Sequence, residues 1–201
     1  MENNLDPNGV IFYKKMFENF NFKHIKDYDT SDIYDHIKEF KEEWSLNTTR
    51  QEKYEVHSKT NSFFIYDHSD TWKPNDKYEM TKECLDEKII KLVSPIVKEL
   101  EKIHDGKVGK TLFIKLPSGK QVDKHADGGY YLNTVRRHHI AIKTNLDVDF
   151  YVGKEKINMK VGECWEINNS RTHHVDNKGM EDRIHLLIDI IPNKFLNDSG
   201  A

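Results

Sequence analysis

The sequence predicts a mainly β protein with bracing helices, an α+β jelly roll or related barrel. Three observations carry that reading. Apolar periodicity is helical in the first half of the chain and changes after Gly106 to short runs broken by turn residues. Eight such runs follow: 110–116, 121–126, 137–144, 147–152, 156–160, 163–168, 172–176 and 183–191. The last sets Ile184, Leu186, Ile188 and Ile190 on one face and Arg183, His185, Leu187 and Asp189 on the other. Such a strand packs against helices on its apolar side and borders a polar cavity on the other, because an unpaired buried charge is costly. Helices first and strands after is the order of a barrel braced on one face.

Taken in order, residues 1–28 are polar with scattered aromatics (Phe12, Tyr13, Phe17, Phe20, Phe22), expected as short strands or a covering arm. Thr30-Ser31-Asp32 can cap a helix. Ile33, Ile37, Phe40 and Trp44 then recur at spacings of four, three and four, which predicts one amphipathic helix. Residues 47–60 are polar and lead into an apolar strand, Ser62 to Tyr66. Asp67 to Met80, with Pro74, reads as a loop. A long helix is predicted from Thr81, with Ile89, Val93, Ile96, Leu100 and Ile103 on one side and Gly106 as its stop. Pro95 inside that pattern implies a kink, or a restart capped by Ser94. Beyond it, Gly119, Gly128-Gly129, Asn145, Gly153, Gly162 and Asn177-Lys178-Gly179 separate the strands. With no internal repeat, the 201 residues read as one domain. A helix-rich support, 1–107, precedes a strand core, 108–191.

Composition narrows the function classes. Thirty-one basic and 34 acidic residues are mixed along the chain, for a net charge of −3, so no basic surface points to nucleic acid or an anionic membrane. Cys84 and Cys164 lie far apart and outside any CxxC pair, which suits a reducing compartment without a zinc ribbon. The start, Met1-Glu2-Asn3-Asn4, lacks the basic and apolar regions of a signal peptide. No segment approaches the ~18 apolar residues of a membrane span. A cytoplasmic protein is expected.

The chemistry concentrates between His125 and Arg183. His125-Ala126-Asp127 can aim an imidazole and a carboxylate at one ion, since strand residues one apart share a face. A histidine from Thr172-His173-His174-Val175 would complete two histidines and a carboxylate, the ligand set of non-haem Fe(II) oxygenases. Arg183, ten residues after His173, offers a permanent charge that can grip a carboxylate in two hydrogen bonds. Arg137 and His139 share a strand face and could join Arg183 around a doubly charged anion such as a 2-oxo acid. Taken singly these pieces have plainer readings. An HxD is usually a polar turn, eleven histidines make coincidences easy, and a lone arginine most often pairs with a neighbour such as Asp182.

Pro117-Ser118-Gly119, His125-Ala126-Asp127, Arg137-His138-His139, Asn168-Asn169-Ser170, His173-His174-Val175-Asp176-Asn177 and Asp182-Arg183-Ile184-His185-Leu186 resemble the aspartyl/asparaginyl β-hydroxylase family over about residues 108–191. Upstream, only Arg50-Gln51 to Phe64 has a similar texture. The resemblance implies a double-stranded β-helix and an Fe(II)- and 2-oxoglutarate-dependent dioxygenase, with ascorbate as an aid in vitro. It implies His125, Asp127 and His173 as iron ligands, Arg183 on the distal carboxylate of 2-oxoglutarate, and Arg137 and His139 near its 2-oxo-acid end. No catalytic residue is expected beyond the metal ligands. The best-known animal members lack the carboxylate ligand; Asp127 here implies a complete triad. Dioxygen and an amino-acid substrate, free or peptidyl, are the partners implied. Arg50, Tyr54 and His57 could line its entry, although a solvated polar loop is the plainer reading of that stretch. A cupin-like metal-binding module without turnover and a zinc hydrolase on the same ligands are the alternatives. Neither calls for Arg183 or the Arg137/His139 pair.

Overall fold

The computed structural model describes residues 19–67, 81–82 and 84–196. The aromatics Phe12, Tyr13 and Phe17 and the expected loop at 68–80 lie outside the described residues.

Two antiparallel sheets face one another. The larger holds β1 (Phe22–Asp27), β9 (Glu163–Ile167), β6 (Arg136–Lys143), β11 (Arg183–Pro192), β4 (Gly106–Leu116), β2 (Asn61–Asp67) and β3 (Thr81–Lys82), in that order across the sheet. The smaller holds β5 (Gln121–His125), β10 (His173–Asn177), β7 (Val148–Val152) and β8 (Glu155–Ile157). The eight strands expected after Gly106 are all present, as β4 to β11. The fold is a jelly roll.

The central strand β11 is buried at all ten positions and pairs with β4 on one side and β6 on the other. Its even residues, Ile184 to Ile190, pack with Ile89, Val93, Ile96 and Leu100 of the long helix α3 (Glu87–His104). Its odd residues face the barrel, where a second apolar cluster (Val122, Phe150, Val152, Ile167, Val175) joins the two sheets. Each fully buried aliphatic side chain contributes about 1.5–3 kcal/mol, so these two layers hold the sandwich together.

The helices depart from expectation in instructive ways. The stripe Ile33, Ile37, Phe40, Trp44 is packed in the core, but not by one helix. A short helix α1 (Ser31–Ile37) ends there, and a 3-10 turn (Glu42–Ser45) delivers Trp44. The long helix starts at Glu87, not Thr81, because Asp86 accepts the amide hydrogens of Lys88 and Ile89 as its N-cap. It runs unbroken through Pro95, with no restart at Ser94. The lost backbone bond, costing about 3 kcal/mol, is outweighed by the buried stripe on both sides of it. Asp105, at φ 44°, takes the left-handed position expected of Gly106. Gly106 instead allows close approach to β11, since a Cβ there would meet the Ile191 carbonyl at 2.5 Å. Ile103 is 47% exposed and lies off the buried face. Two short helices were not foreseen: α2 (Thr49–Lys53), in the polar 47–60 stretch, and α4 (Tyr130–Thr134), after Gly128-Gly129. A last turn, α5 (Asn193–Leu196), follows β11.

Candidate metal centre

Register builds the site. β10 pairs antiparallel with β5 so that His173 sits opposite His125, and the two rings lie 4.3 Å apart between centroids. Asp127 follows β5 by two residues and is pinned there by its amide, which donates to the Asn169 carbonyl at 2.9 Å. One atom from each of His125, Asp127 and His173 falls within 4.8 Å of the others. Asp127 Oδ1 is 3.8 Å from His125 Nε2 and 3.9 Å from His173 Nε2.

The outer atoms of these three side chains are already held. His125 Nδ1 donates to the Asp123 carbonyl at 2.8 Å and His173 Nδ1 to the Arg171 carbonyl at 2.9 Å. Each Nε2 therefore presents a lone pair, as a metal-binding imidazole requires. Asp127 Oδ2 accepts from Arg137 Nη1 at 2.6 Å and from Asn169 Nδ2 at 3.2 Å, which turns Oδ1 toward the imidazoles. Burial would raise the Asp127 pKa, but Arg137 and then His173 hold it below the usual carboxylate value. Burial pushes His173 down, against the pull of Asp127. Ionised carboxylate and neutral imidazoles are the forms that bind a divalent ion. The donor set fits one.

His174, the neighbour of His173, points the other way and stacks on Tyr151, centroids 4.2 Å apart at 3°. Strand alternation separates the pair even at the start of β10.

Arg183 lies deeper in the barrel, 2% exposed, with its guanidinium over the Phe150 ring at 5.4 Å. Its Nη2 lies 2.8 Å from His185 Nδ1. Among the described residues no carboxylate reaches it, and burial alone lowers its pKa to about 9. His139 and His185 face the same space, ring centroids 5.9 Å apart. Both are held well below the usual imidazole pKa by burial first and by Arg183 next. Among the described residues, Arg183 Nε, His185 Nε2 and His139 Nδ1 are buried with no hydrogen-bond partner. A fixed cation and unused imidazole nitrogens in an apolar wall form a cradle for an anion.

Arg137 departs most from expectation. Rather than facing that cradle alone, it binds Asp189 through Nε (2.9 Å) and Nη2 (2.8 Å) and Asp127 through Nη1. Burial lowers its pKa, yet Asp189 and Asp127 more than offset this and raise it. Tyr131 Oη donates to Asp189 Oδ2 at 3.1 Å and accepts from the Lys110 amide at 2.8 Å. Sequence reasoning placed Asp189 on the polar face without seeing that it anchors Arg137, a contact across 52 residues.

A cavity of about 860 Å³ opens onto His125, Asp127 and Arg137. Arg50, Tyr54 and His57 line it beside Phe64, Leu112 and Leu187. Arg50, partly exposed as a residue, has its guanidinium enclosed and hydrogen-bonded to Thr60 Oγ1 at 3.2 Å. Burial and then Arg137 lower its pKa to about 9. His57, 5.2 Å from His125 between ring centroids, is pushed down to about 2, by burial first and Arg50 next.

A family model described as aspartyl/asparaginyl beta-hydroxylase matches residues 29–192. The chain belongs to this family. The match reaches well upstream of residue 108, so α1, α2 and β2 are part of the β-hydroxylase unit. No curated protein matches in sequence. Among solved structures, an oxidoreductase of the 2OG-Fe(II) oxygenase family from Burkholderia pseudomallei is similar at 9% identity and TM-score 0.50, over 83% of this chain and 91% of that one. AerE from Microcystis aeruginosa (15%, TM-score 0.33) matches 41% of this chain and 35% of its own. The non-heme monooxygenase ThoJ, solved with nickel (16%, TM-score 0.40), matches 48% and 49%. The chain thus spans half or less of the length of the last two. The family rests on the match over residues 29–192, and the likeness to the Burkholderia pseudomallei structure shows the fold. Among the described residues no helix is long and apolar enough to cross a membrane.

Proposed function

We propose that the protein is an Fe(II)- and 2-oxoglutarate-dependent dioxygenase that hydroxylates an amino-acid side chain, free or peptidyl. The observation that carries this reading is the buried Arg183, without a carboxylate among the described residues, beside a two-histidine, one-carboxylate cluster. A guanidinium taken out of water without a counter-ion costs several kcal/mol, and a bound dicarboxylate would offset that cost. A metal-binding module without turnover, or a zinc hydrolase, gives no reason for it.

In this reading His125, Asp127 and His173 hold the iron. Arg183 grips the distal carboxylate of 2-oxoglutarate, with His139 and His185 closing the space around it. Arg137 acts behind Asp127, keeping Oδ2 occupied and Oδ1 turned inward, and reaches the 2-oxo-acid end from that side. When bound, iron, 2-oxoglutarate and dioxygen supply oxidative decarboxylation to succinate and carbon dioxide and insertion of one oxygen atom into a C–H bond. Phe64, Leu112 and Leu187 line the cavity beside the ligands and would pack against the target carbon.

Arg50 supports an acidic group on the substrate, since it is a second enclosed cation on the open side of the ligands. The test is a screen of free amino acids and lysate peptides for a product heavier by one oxygen atom. The active compounds should bear a carboxylate near the modified carbon. Arg50→Ala should raise KM for them about 30-fold, as loss of a charge-assisted contact does. Oxygenation of neutral compounds with unchanged KM in that variant would remove Arg50 from substrate binding.

A further inference from the structure

Strand β6 alternates, and its middle residue points away from the barrel. Arg137 and His139 face the candidate centre; His138, between them, faces the helix layer and is fully buried. His138 Nδ1 lies 3.1 Å from the Ile188 carbonyl and donates to it, which leaves a lone pair on Nε2. That lone pair meets Nε2 of His104, the last residue of α3, at 2.8 Å, with ring centroids 4.7 Å apart. Glu166 of β9 stands opposite His138 in the sheet register and is 1% exposed. Arg136 Nη1 donates to Glu166 Oε1 at 3.0 Å, and a carboxylate has a second oxygen, so this contact and a metal bond can coexist. One donor atom from each of His104, His138 and Glu166 lies within 4.8 Å of the other two.

We propose that His104, His138 and Glu166 form a second metal site, on the outer face of the large sheet, that binds Zn2+ with water as the fourth ligand. Two imidazoles and one carboxylate suit zinc, whereas calcium and magnesium favour oxygen ligands alone. The backbone bond at His138 Nδ1 is the partner a ligating histidine uses on its far nitrogen. Zinc–nitrogen bonds of about 2.0–2.1 Å in a tetrahedron separate donors by roughly 3.3 Å, so the His104 ring moves outward by about half an ångström. His104 is only half-buried and ends its helix, which leaves room for that shift. The ion would tie the end of α3 to β6 and β9, and so stiffen the strand that carries Arg137 and His139.

The test keeps the two sites apart. Metal-stripped full-length protein is titrated with Zn2+ alone, in wild type, His173→Ala, His104→Ala and the double variant. About two equivalents should bind wild type, about one each single variant, and none the double variant. Zinc should raise the Tm of His173→Ala and leave that of the double variant unchanged. The more conservative Glu166→Gln and His104→Gln, each in the His173→Ala background, should weaken the remaining site at least tenfold. If His173→Ala binds no zinc, or the double variant binds as it does, His104 and His138 are a hydrogen-bonded pair and the proposal fails. Because this site is read with His173 removed, the result does not depend on the oxygenase reading.

Discussion

His173 and His174 show how much a single side-chain direction decides. Burial, the Asp127 distance and the Nδ1 bond to Arg171 set His173 beside Asp127 and His125, while His174 stacks on Tyr151. His173→Ala should therefore abolish stoichiometric iron binding and turnover, and His174→Ala should keep both within a few-fold. Bound iron and succinate measured in the two variants check this, and the reverse pattern would make His174 the ligand. Arg137 makes a different kind of prediction. Its removal leaves Asp189, with no exposed surface, and Asp127 as buried carboxylates without their cation. Breaking such a pair costs about 3–5 kcal/mol, so Arg137→Ala should lower unfolding stability by that much and weaken metal binding as well. Denaturant unfolding of the metal-free variant measures the first effect; wild-type stability there would show that the network is not structural. The grouping of His125, Asp127 and His173 was legible from spacing because such residues are few and chemically distinctive, and the structure brings the three together. The role of Asp189 was not, because a carboxylate on a polar strand face does not announce its partner 52 residues away.

At the scale of elements, the strands after Gly106 were legible because glycine and asparagine turns bracket each apolar run. The helices were harder to place, since an apolar stripe reports which residues are buried and not which backbone buries them. Ile37 and Trp44 reach one core through a helix and a separate 3-10 turn. The true start of α3 lay in a polar side chain. Asp86 caps two amides and meets His36 Nε2 at 2.6 Å, and these contacts hold its pKa low against the opposing effect of burial. Asp86→Ala should destabilise the protein by about 1–2 kcal/mol through the lost cap. Asp86→Asn, which can still accept the amide hydrogens, should recover about half or more of the loss. Equal losses in the two variants would assign the effect to the His36 pair instead.

Across the whole molecule, the large sheet divides labour between its faces. One side of β11 and β6 packs on α3; the other presents Arg183, His185, His139 and Arg137 to the barrel. The small sheet supplies His125 and His173 from adjacent strands, so the centre lies where the two sheets meet. A buried cation at the closed end and a second at the open end would orient a dicarboxylate inward and an acidic substrate outward. The most direct measurement is succinate formed from 2-oxoglutarate by metal-stripped protein reloaded with Fe(II), with ascorbate and a mixture of amino acids and lysate peptides. The account predicts iron-dependent succinate that is absent in His173→Ala. In Arg183→Ala the same reaction should need about 30-fold more 2-oxoglutarate, the loss expected for a charge-assisted two-point contact. Succinate from the iron-loaded wild type no greater than from His173→Ala, or an Arg183→Ala variant with unchanged dependence on 2-oxoglutarate, would contradict it.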